Sequence, residues 1–103
     1  MSVAELPIAI DHARIELFCR QRGIRRLSLF GSVLRDDFDP VRSDVDVLAE
    51  FAPGALDGVG FRFYGYGEEL SAILGRKVDF CSRLNKYIEA EVRREALVIY
   101  EQA

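Results

Sequence analysis

Hydrophobic positions follow two spacings along this chain, and the change from one to the other predicts the elements of the fold. Between Ile8 and Cys19 the apolar residues include the i, i+3, i+4 spacing of a helix that packs on a core. Pro7 is compatible with the first helical turn and Gly23 with the end of the helix, so the pattern predicts a helix near residues 7–22.

The rest of the chain is predicted to alternate short strands with helices. The expected elements are a turn at 23–26, strands at 27–30, 44–51 and 76–81, and helices at 33–36, about 62–74 and from 84–85 onward. The glycine-rich residues 52–60 form a loop in this scheme. Residues 96–100 either end the last helix or form a fourth strand, which their β-branched and aromatic side chains favour. The alternation predicts an α/β (α+β) fold: a small mixed sheet packed with helices.

Length and composition predict one globular domain over residues 1–103. The net charge of −3 gives no general electrostatic argument for binding nucleic acid or membranes. No apolar run approaches the roughly 20 residues of a membrane span, and the N-terminus lacks a signal-peptide pattern. We therefore expect a cytoplasmic protein in which Cys19 and Cys81 are reduced, buried thiols rather than a disulfide or a zinc site.

Three aspartates stand among apolar strand residues. Asp44 and Asp46 lie two positions apart at the start of the second predicted strand, so both project from one face of it. Asp79 lies between Val78 and Phe80 in the third strand, where an unpaired buried charge would be costly. A solvent-facing position or an arginine partner explains any one of them equally well. The three together favour a site that holds one or two Mg²⁺ ions through oxygen ligands.

A Gly-Ser pair, Gly31 and Ser32, follows the first predicted strand. Glycine lets the backbone approach an anion closely, and the amide groups at the start of a short helix can point at phosphate. Arg35 could reach a phosphate, and an ion pair with a neighbouring aspartate is an equally good explanation. Ser43 is expected to cap or brace the strand that carries Asp44.

In this order the motifs resemble the Gly-Ser…Asp-x-Asp signature of the DNA polymerase β-like nucleotidyltransferase superfamily. The chain is similar, from about residue 24 to residue 100, to the minimal nucleotidyltransferases, the antitoxins paired with HEPN-domain toxins. The segments that carry the resemblance are GSVLRDDFDPVRSDVDVL, SDVDVLAEF, ELSAILGRKVDF and VIYE. One departure is that eleven residues separate Ser32 from Asp44, one more than is common in the group. The extra residue falls in the loop at 36–42.

The resemblance implies a nucleotidyltransferase fold and the antitoxin of a type VII-like toxin–antitoxin pair. Its activity would be a Mg²⁺-dependent transfer of AMP from ATP to a tyrosine hydroxyl of a HEPN RNase toxin. The implied partners are ATP and the toxin, with no membrane and no direct contact to nucleic acid. The implied catalytic and Mg²⁺-binding residues are Asp44, Asp46 and Asp79, and the implied nucleotide-binding residues are Gly31, Ser32, Arg35 and Ser43.

Two other functions stay open at this point. The same fold could neutralise a toxin by covering it without catalysis, although a pure binder has no reason to align three charged side chains. It could also transfer a nucleotide to a small molecule. The length of 103 residues argues against that function, because it leaves no second domain to enclose such a substrate.

Overall fold

The computed structural model of the protein describes residues 2–35, 37–39 and 41–102. The helices are α1 (His12–Arg22), α2 (Phe63–Leu74) and α3 (Glu89–Glu95). The strands are β1 (Ile24–Phe30), β2 (Val45–Phe51), β3 (Val78–Cys81) and β4 (Leu97–Glu101). Single turns of 3-10 helix occupy Val3–Glu5, Gly31–Leu34 and Gly60–Arg62. The predicted α/β (α+β) fold class is confirmed, and so is the fourth strand.

The four strands form one mixed sheet in the order β3-β2-β1-β4. Strand β1 runs antiparallel to both of its neighbours, whereas β2 and β3 are parallel. Phe30, at the end of β1, pairs with Asp46 near the start of β2, and Asp46 pairs in turn with Asp79. The register therefore brings the turn that follows β1 beside the aspartates of β2 and β3.

One face of the sheet carries the core. Leu27 and Leu29 of β1 and Val45 and Val47 of β2 are fully buried under α1 and α2. Burying a side chain of this kind stabilises the fold by about 1.5–3 kcal/mol relative to leaving it exposed. Because side chains alternate along a strand, the residues between these positions project from the opposite side of the sheet, which we call the second face.

Helix α1 begins at His12, so the prediction of a helix from residue 7 was wrong at its start. The carboxylate of Asp11 accepts a hydrogen bond from the backbone N–H of Arg14, 3.2 Å away, and this N-cap fixes the first turn. The predicted turn at 23–26 was also wrong beyond its first residue. Gly23, with φ of 69°, reverses the chain alone, and β1 starts at Ile24.

Helix α3 starts at Glu89 rather than at residues 84–85, where we expected it. The side chain of Asn85 accepts a hydrogen bond from the backbone N–H of Tyr87, 2.9 Å away. This local turn competes with helix at residues 85–87. Strand β3 is likewise shorter than predicted, since it begins at Val78.

Two positions used in the sequence interpretation lie outside the described residues. They are Asp36, the expected end of the short helix, and Pro40, the expected break after it. In the described part of the chain no helix has the length and hydrophobicity needed to cross a membrane.

Candidate active site

The pairing of β2 with β3 places two of the predicted catalytic aspartates side by side. Asp46 lies opposite Asp79 in the parallel register, and Asp44 lies just before the first residue of β2. Burial, followed by the neighbouring charges of Asp79 and Asp44, raises the pKa of the Asp46 carboxyl above its ordinary value. Arg35 acts in the opposite direction. The structure thus brings Asp44, Asp46, Asp79 and Arg35 within electrostatic reach of one another.

Gly31 lies directly against this group. Its φ of 75° is in the left-handed region, and an added Cβ would overlap Oδ2 of Asp46 and stand 3.2 Å from its Cγ. Only glycine fits this position without moving the carboxylate, because it alone has neither a Cβ nor a penalty at this φ. The sequence argument expected the Gly31 backbone to approach an anion such as phosphate, and the group that it approaches in the structure is the Asp46 carboxylate.

Ser32 follows within the single 3-10 turn at Gly31–Leu34. The backbone carbonyl of Ser32 accepts a hydrogen bond from the N–H of Arg35, 2.9 Å away, and this bond ends the turn. Ser32 is half-buried, whereas Arg35 is exposed. Arg35 is close enough to Asp46 to act on its charge, whereas contact of Ser32 with a nucleotide stays a prediction.

Ser43 is hydrogen-bonded within its own loop. Its hydroxyl accepts a hydrogen bond from the backbone N–H of Asp39 at 3.0 Å, and its N–H donates to the Asp39 carbonyl at 2.8 Å. The Asp39 carboxylate accepts from the N–H groups of Val41 and Arg42 at 2.8 and 3.3 Å. The loop thus closes on itself just before β2, so Ser43 braces the approach to Asp44. Contact between Ser43 and a nucleotide stays a prediction.

The donor chemistry of the aspartates fits a hard divalent cation. Carboxylate oxygens are the ligands that Mg²⁺ prefers, and burial together with the charges of Asp79 and Asp44 raises the pKa of Asp46 despite the opposing charge of Arg35. Lys77 contributes only a distant contact, with its Nζ 4.0 Å from Oδ2 of Asp44. Among residues 2–35, 37–39 and 41–102, no three acidic, histidine or cysteine side chains are already gathered into a group that could hold a metal ion. Metal binding stays a prediction.

Sequence reasoning missed a second charged cluster on the same face of the sheet. The carboxylate of Glu50 accepts hydrogen bonds from Nε and Nη2 of Arg26, at 2.5 and 3.2 Å, and from Nη1 of Arg93, at 2.7 Å. These bonds, that of Arg26 foremost, lower the pKa of Glu50. The available signal was the spacing: Glu50 continues the alternation of Asp44 and Asp46 along β2. Its partner on α3 lies 43 residues away and has no local signature.

Comparison with known families agrees with this geometry. The sequence pattern of the nucleotidyltransferase domain matches residues 13–101, which span α1 to the end of β4. The chain belongs to the nucleotidyltransferase domain family. A structure provisionally described as a minimal nucleotidyltransferase is 32% identical to it, with a TM-score of 0.62. That alignment covers 82% of this chain and 84% of the other. The resemblance to the minimal nucleotidyltransferases is therefore confirmed.

Two more distant structures share the fold of this nucleotidyltransferase. One is a crystal structure of a toxin–antitoxin with AMP-PNP, at 18% identity and a TM-score of 0.66. The other is the toxin–antitoxin MntA-HpeT, in a variant with two aspartates replaced by glutamate, at 15% identity and a TM-score of 0.65. Each alignment covers 90% of this chain and 75% of the other. Comparison with curated proteins finds no match.

Proposed function

We propose that this nucleotidyltransferase is an antitoxin that moves AMP from ATP to a tyrosine hydroxyl of a HEPN-domain RNase toxin. The observation that carries the proposal is the pairing of Asp46 with Asp79 beside the glycine that ends β1. Family membership gives the reaction class. The toxin as substrate rests on the sequence resemblance, and the two toxin–antitoxin neighbours of the same fold support it.

In the proposed reaction the acceptor oxygen attacks the α-phosphorus of ATP. The new oxygen–phosphorus bond forms as the bond between the α-phosphorus and the bridging oxygen breaks, and pyrophosphate leaves with that electron pair. A carboxylate oxygen of Asp79 takes the proton of the acceptor hydroxyl and releases it to water. Asp79 suits this role because it is exposed at the edge strand, where an acceptor can approach.

The remaining site residues bind and orient the nucleotide. Gly31 and Ser32 receive the β- and γ-phosphates through backbone N–H groups and the serine hydroxyl. Arg35, which already lowers the pKa of Asp46, offers a positive charge to the leaving pyrophosphate. The protein forms no covalent bond to the nucleotide in this reaction. It contributes by holding the acceptor oxygen in line with the bond that breaks at the α-phosphorus.

Mg²⁺, proposed as two ions, would be held by Asp44, Asp46 and Asp79. When bound, the ions would neutralise charge on the triphosphate and on the attacking oxygen. The raised pKa of Asp46 fits this assignment, because a cation between the carboxylates would offset both the burial and the neighbouring charges of Asp79 and Asp44 that raise it.

The decisive experiment combines the full chain, the product of the neighbouring gene, Mg²⁺ and ATP labelled at the α-phosphate. The expected result is label on the partner and loss of its RNase activity. Asp46→Asn and Asp79→Asn should each abolish labelling, whereas Asp57→Asn, in the exposed loop after β2, should leave it unchanged.

Three outcomes would contradict the proposal or its mechanism. Loss of RNase activity without label on the partner would show neutralisation by binding alone. Label on a small hydroxyl compound but never on the partner would show a small-molecule transferase. Unchanged labelling by Asp79→Asn would overturn the mechanism while leaving the reaction class intact.

A further inference from the structure

Strand β3 forms one edge of the sheet in the part of the chain that the structure describes. The carbonyl of Lys77, just before β3, accepts a hydrogen bond from the N–H of Val45 on β2, 2.9 Å away. Because backbone groups alternate in direction along a strand, those of Val78 and Phe80 point away from β2. The N–H of Val78 donates to the hydroxyl of Ser71 at 3.0 Å. Within the described residues, the Val78 carbonyl and both backbone groups of Phe80 are left for a further strand.

A pocket of about 350 Å³ lies between this edge and α2, on the face of the sheet that carries the core. Its apolar lining comes from Val78 and Phe80 of β3 and from Phe63 and Tyr64 of α2. The ring of Phe63 lies 5.9 Å from that of Phe80, and Tyr64 is 76% exposed. Gly67 keeps the helix close to the strand, because a Cβ there would stand only 3.1 Å from the Cβ of Phe80. The pocket is thus lined for an apolar side chain that arrives beside the strand edge.

The surroundings of the pocket are acidic. Glu68 lines the pocket, is exposed and makes no ion pair with any described residue. Lys77 also lines it, but its Nζ lies 4.0 Å from Oδ2 of Asp44, which opposes its charge. Asp79 adds an exposed carboxylate at the same edge, on the second face. Charge complementarity therefore favours a basic segment at this edge.

We propose that the outer edge of β3 binds an extended segment of the partner protein as a fifth strand, with an apolar side chain in the pocket and a basic side chain at Glu68. The inference rests on the proposed function, because it names how the partner of that reaction docks. The added strand would lie about 4.8 Å from β3. Its main chain would bond to the outward groups of Val78 and Phe80, and its alternate side chains would give selectivity.

The alternation of side chains determines where the acceptor of AMP lies. Phe80 projects to the face that carries the core and Asp79 to the second face. In the added strand, the residue beside Asp79 is therefore the immediate sequence neighbour of the residue that enters the pocket. The basic residue shares a face with that apolar residue, so it lies two positions from it. The acceptor lies between the two, with its side chain beside the carboxylate proposed to take its proton.

Hydrogen exchange tests the added strand directly. In the isotope-labelled full chain the amide of Phe80 should exchange freely, whereas the amides of Asp79 and Cys81 face β2 and are protected by the sheet. Saturation with the product of the neighbouring gene should slow exchange at Phe80 about ten-fold. The amide of Gly58, in the exposed loop after β2, serves as the internal reference and should not change.

Matched variants test the pocket and its charge. Tyr64→Ala should raise the KM for the partner about ten-fold with the KM for ATP unchanged. The control is Phe61→Ala, because Phe61 is 90% exposed, its ring lies 6.3 Å from that of Tyr64, and it does not line the pocket. Glu68→Lys should raise the KM for the partner about five-fold, whereas Glu95→Lys makes the same charge change on α3 and should not. Thermal unfolding of each variant checks that it folds.

Mass spectrometry of the labelled partner tests the predicted order of residues. The residue that carries AMP should have an apolar residue on one side and lysine or arginine on the other. An acidic residue on either side would overturn the proposed docking.

The outcomes separate this inference from the proposed function. Labelling without slowed exchange at Phe80, and with an unchanged KM in Tyr64→Ala, would overturn the docking and leave the reaction standing. Slowed exchange without labelling would overturn the reaction and leave an edge that binds the partner. Slowed exchange in the chain alone, growing with its concentration, would show pairing of two copies and overturn the assignment to a partner. Absence of both labelling and slowed exchange would overturn both proposals.

Discussion

The backbone of Gly31 lies so close to the carboxylate of Asp46 that no other residue type fits between them. A Cβ at position 31 would overlap Oδ2 of Asp46, and the glycine has a φ of 75°. The turn that would bind phosphate and the aspartate that would bind metal are therefore one packed unit. A substitution at either residue should therefore displace the other.

Gly31→Ala should abolish nucleotidyl transfer, because the new methyl group must displace the Asp46 carboxylate. It should also lower the free energy of unfolding by about 1–2 kcal/mol, the cost of a side chain in the left-handed region. The control is Gly58→Ala. Gly58 has a φ of 71° and nothing within 4 Å of the added Cβ, so it shares the backbone cost alone. Equal activity in the two variants, measured by AMP labelling, would contradict the prediction.

Asp46→Asn should stabilise the protein while destroying its activity. The folded state raises the pKa of Asp46, so the ionised carboxylate opposes folding at pH 7, and that penalty fades as the pH falls through the folded pKa. Removing the charge should raise the Tm by roughly 2–4 °C, which corresponds to the change in stability of about 0.5 kcal/mol that is usual for substitutions at partly exposed positions. Calorimetry at pH 7 measures this, with Asp57→Asn in the exposed loop as the unshifted control.

The same variant tests ligand binding without any turnover. Mg²⁺ and ATP together should raise the Tm of the unmodified protein, since a ligand at about 100 times its Kd stabilises the fold by about 2.7 kcal/mol. Asp46→Asn should show almost no such shift. Removing Mg²⁺ with a chelator should return the unmodified protein to its ligand-free Tm. A full shift in the variant would place the nucleotide away from Asp46.

The features that sequence predicted well are those with short-range causes. The alternation of the second strand is one such feature, and the glycine that ends β1 is another, although its backbone approaches the Asp46 carboxylate whereas the sequence argument expected an anion such as phosphate. The start of α1 was placed five residues early, at residue 7 instead of His12. The hydrophobic spacing extends to residues before Asp11, whereas the N-cap at Asp11 begins the helix there. Periodicity and capping compete there, and the cap prevails.

Long-range pairing is the part that sequence could not supply. The sequence around Asp79 does not specify that it pairs with Asp46 rather than with Leu48, because the register of two parallel strands depends on packing across the sheet. The hydrogen bond between Glu50 and Arg93 likewise depends on packing between distant parts of the chain. Family resemblance anticipated the first of these relationships but gave no hint of the second.

Ser32 and Ser43 were both predicted to bind the nucleotide, and substitution can separate them. Ser43→Ala removes an acceptor that already takes a hydrogen bond from Asp39 within the loop, so it should change the KM for ATP less than three-fold. Ser32→Ala should raise that KM about ten-fold, because its hydroxyl is proposed to donate to a charged phosphate. Steady-state labelling at varied ATP measures both. Equal effects would place Ser43 against the nucleotide as well.

Glu50→Gln should weaken the fold at neutral pH and matter less in acid. Hydrogen bonds from Arg26 and Arg93 lower the pKa of Glu50, so its ionised form stabilises the folded state at all pH values above its ordinary value of 4.5. That contribution is lost as the pH falls below 4.5 through the lowered folded pKa. We expect a deficit of about 2 kcal/mol at pH 7, the usual scale of charged hydrogen bonds.

The pH dependence of that deficit is the sharper measurement. Urea unfolding of the unmodified protein and of Glu50→Gln should give curves that converge as the pH is lowered below 4.5. Glu101→Gln is the matched control, because Glu101 contacts the same Arg26 at 3.3 Å but is 59% exposed, where an ion pair contributes little. Its curve should stay within about 0.5 kcal/mol of the unmodified protein throughout. A deficit in Glu50→Gln that persists unchanged in acid would show that shape, and not charge, holds α3 against β2.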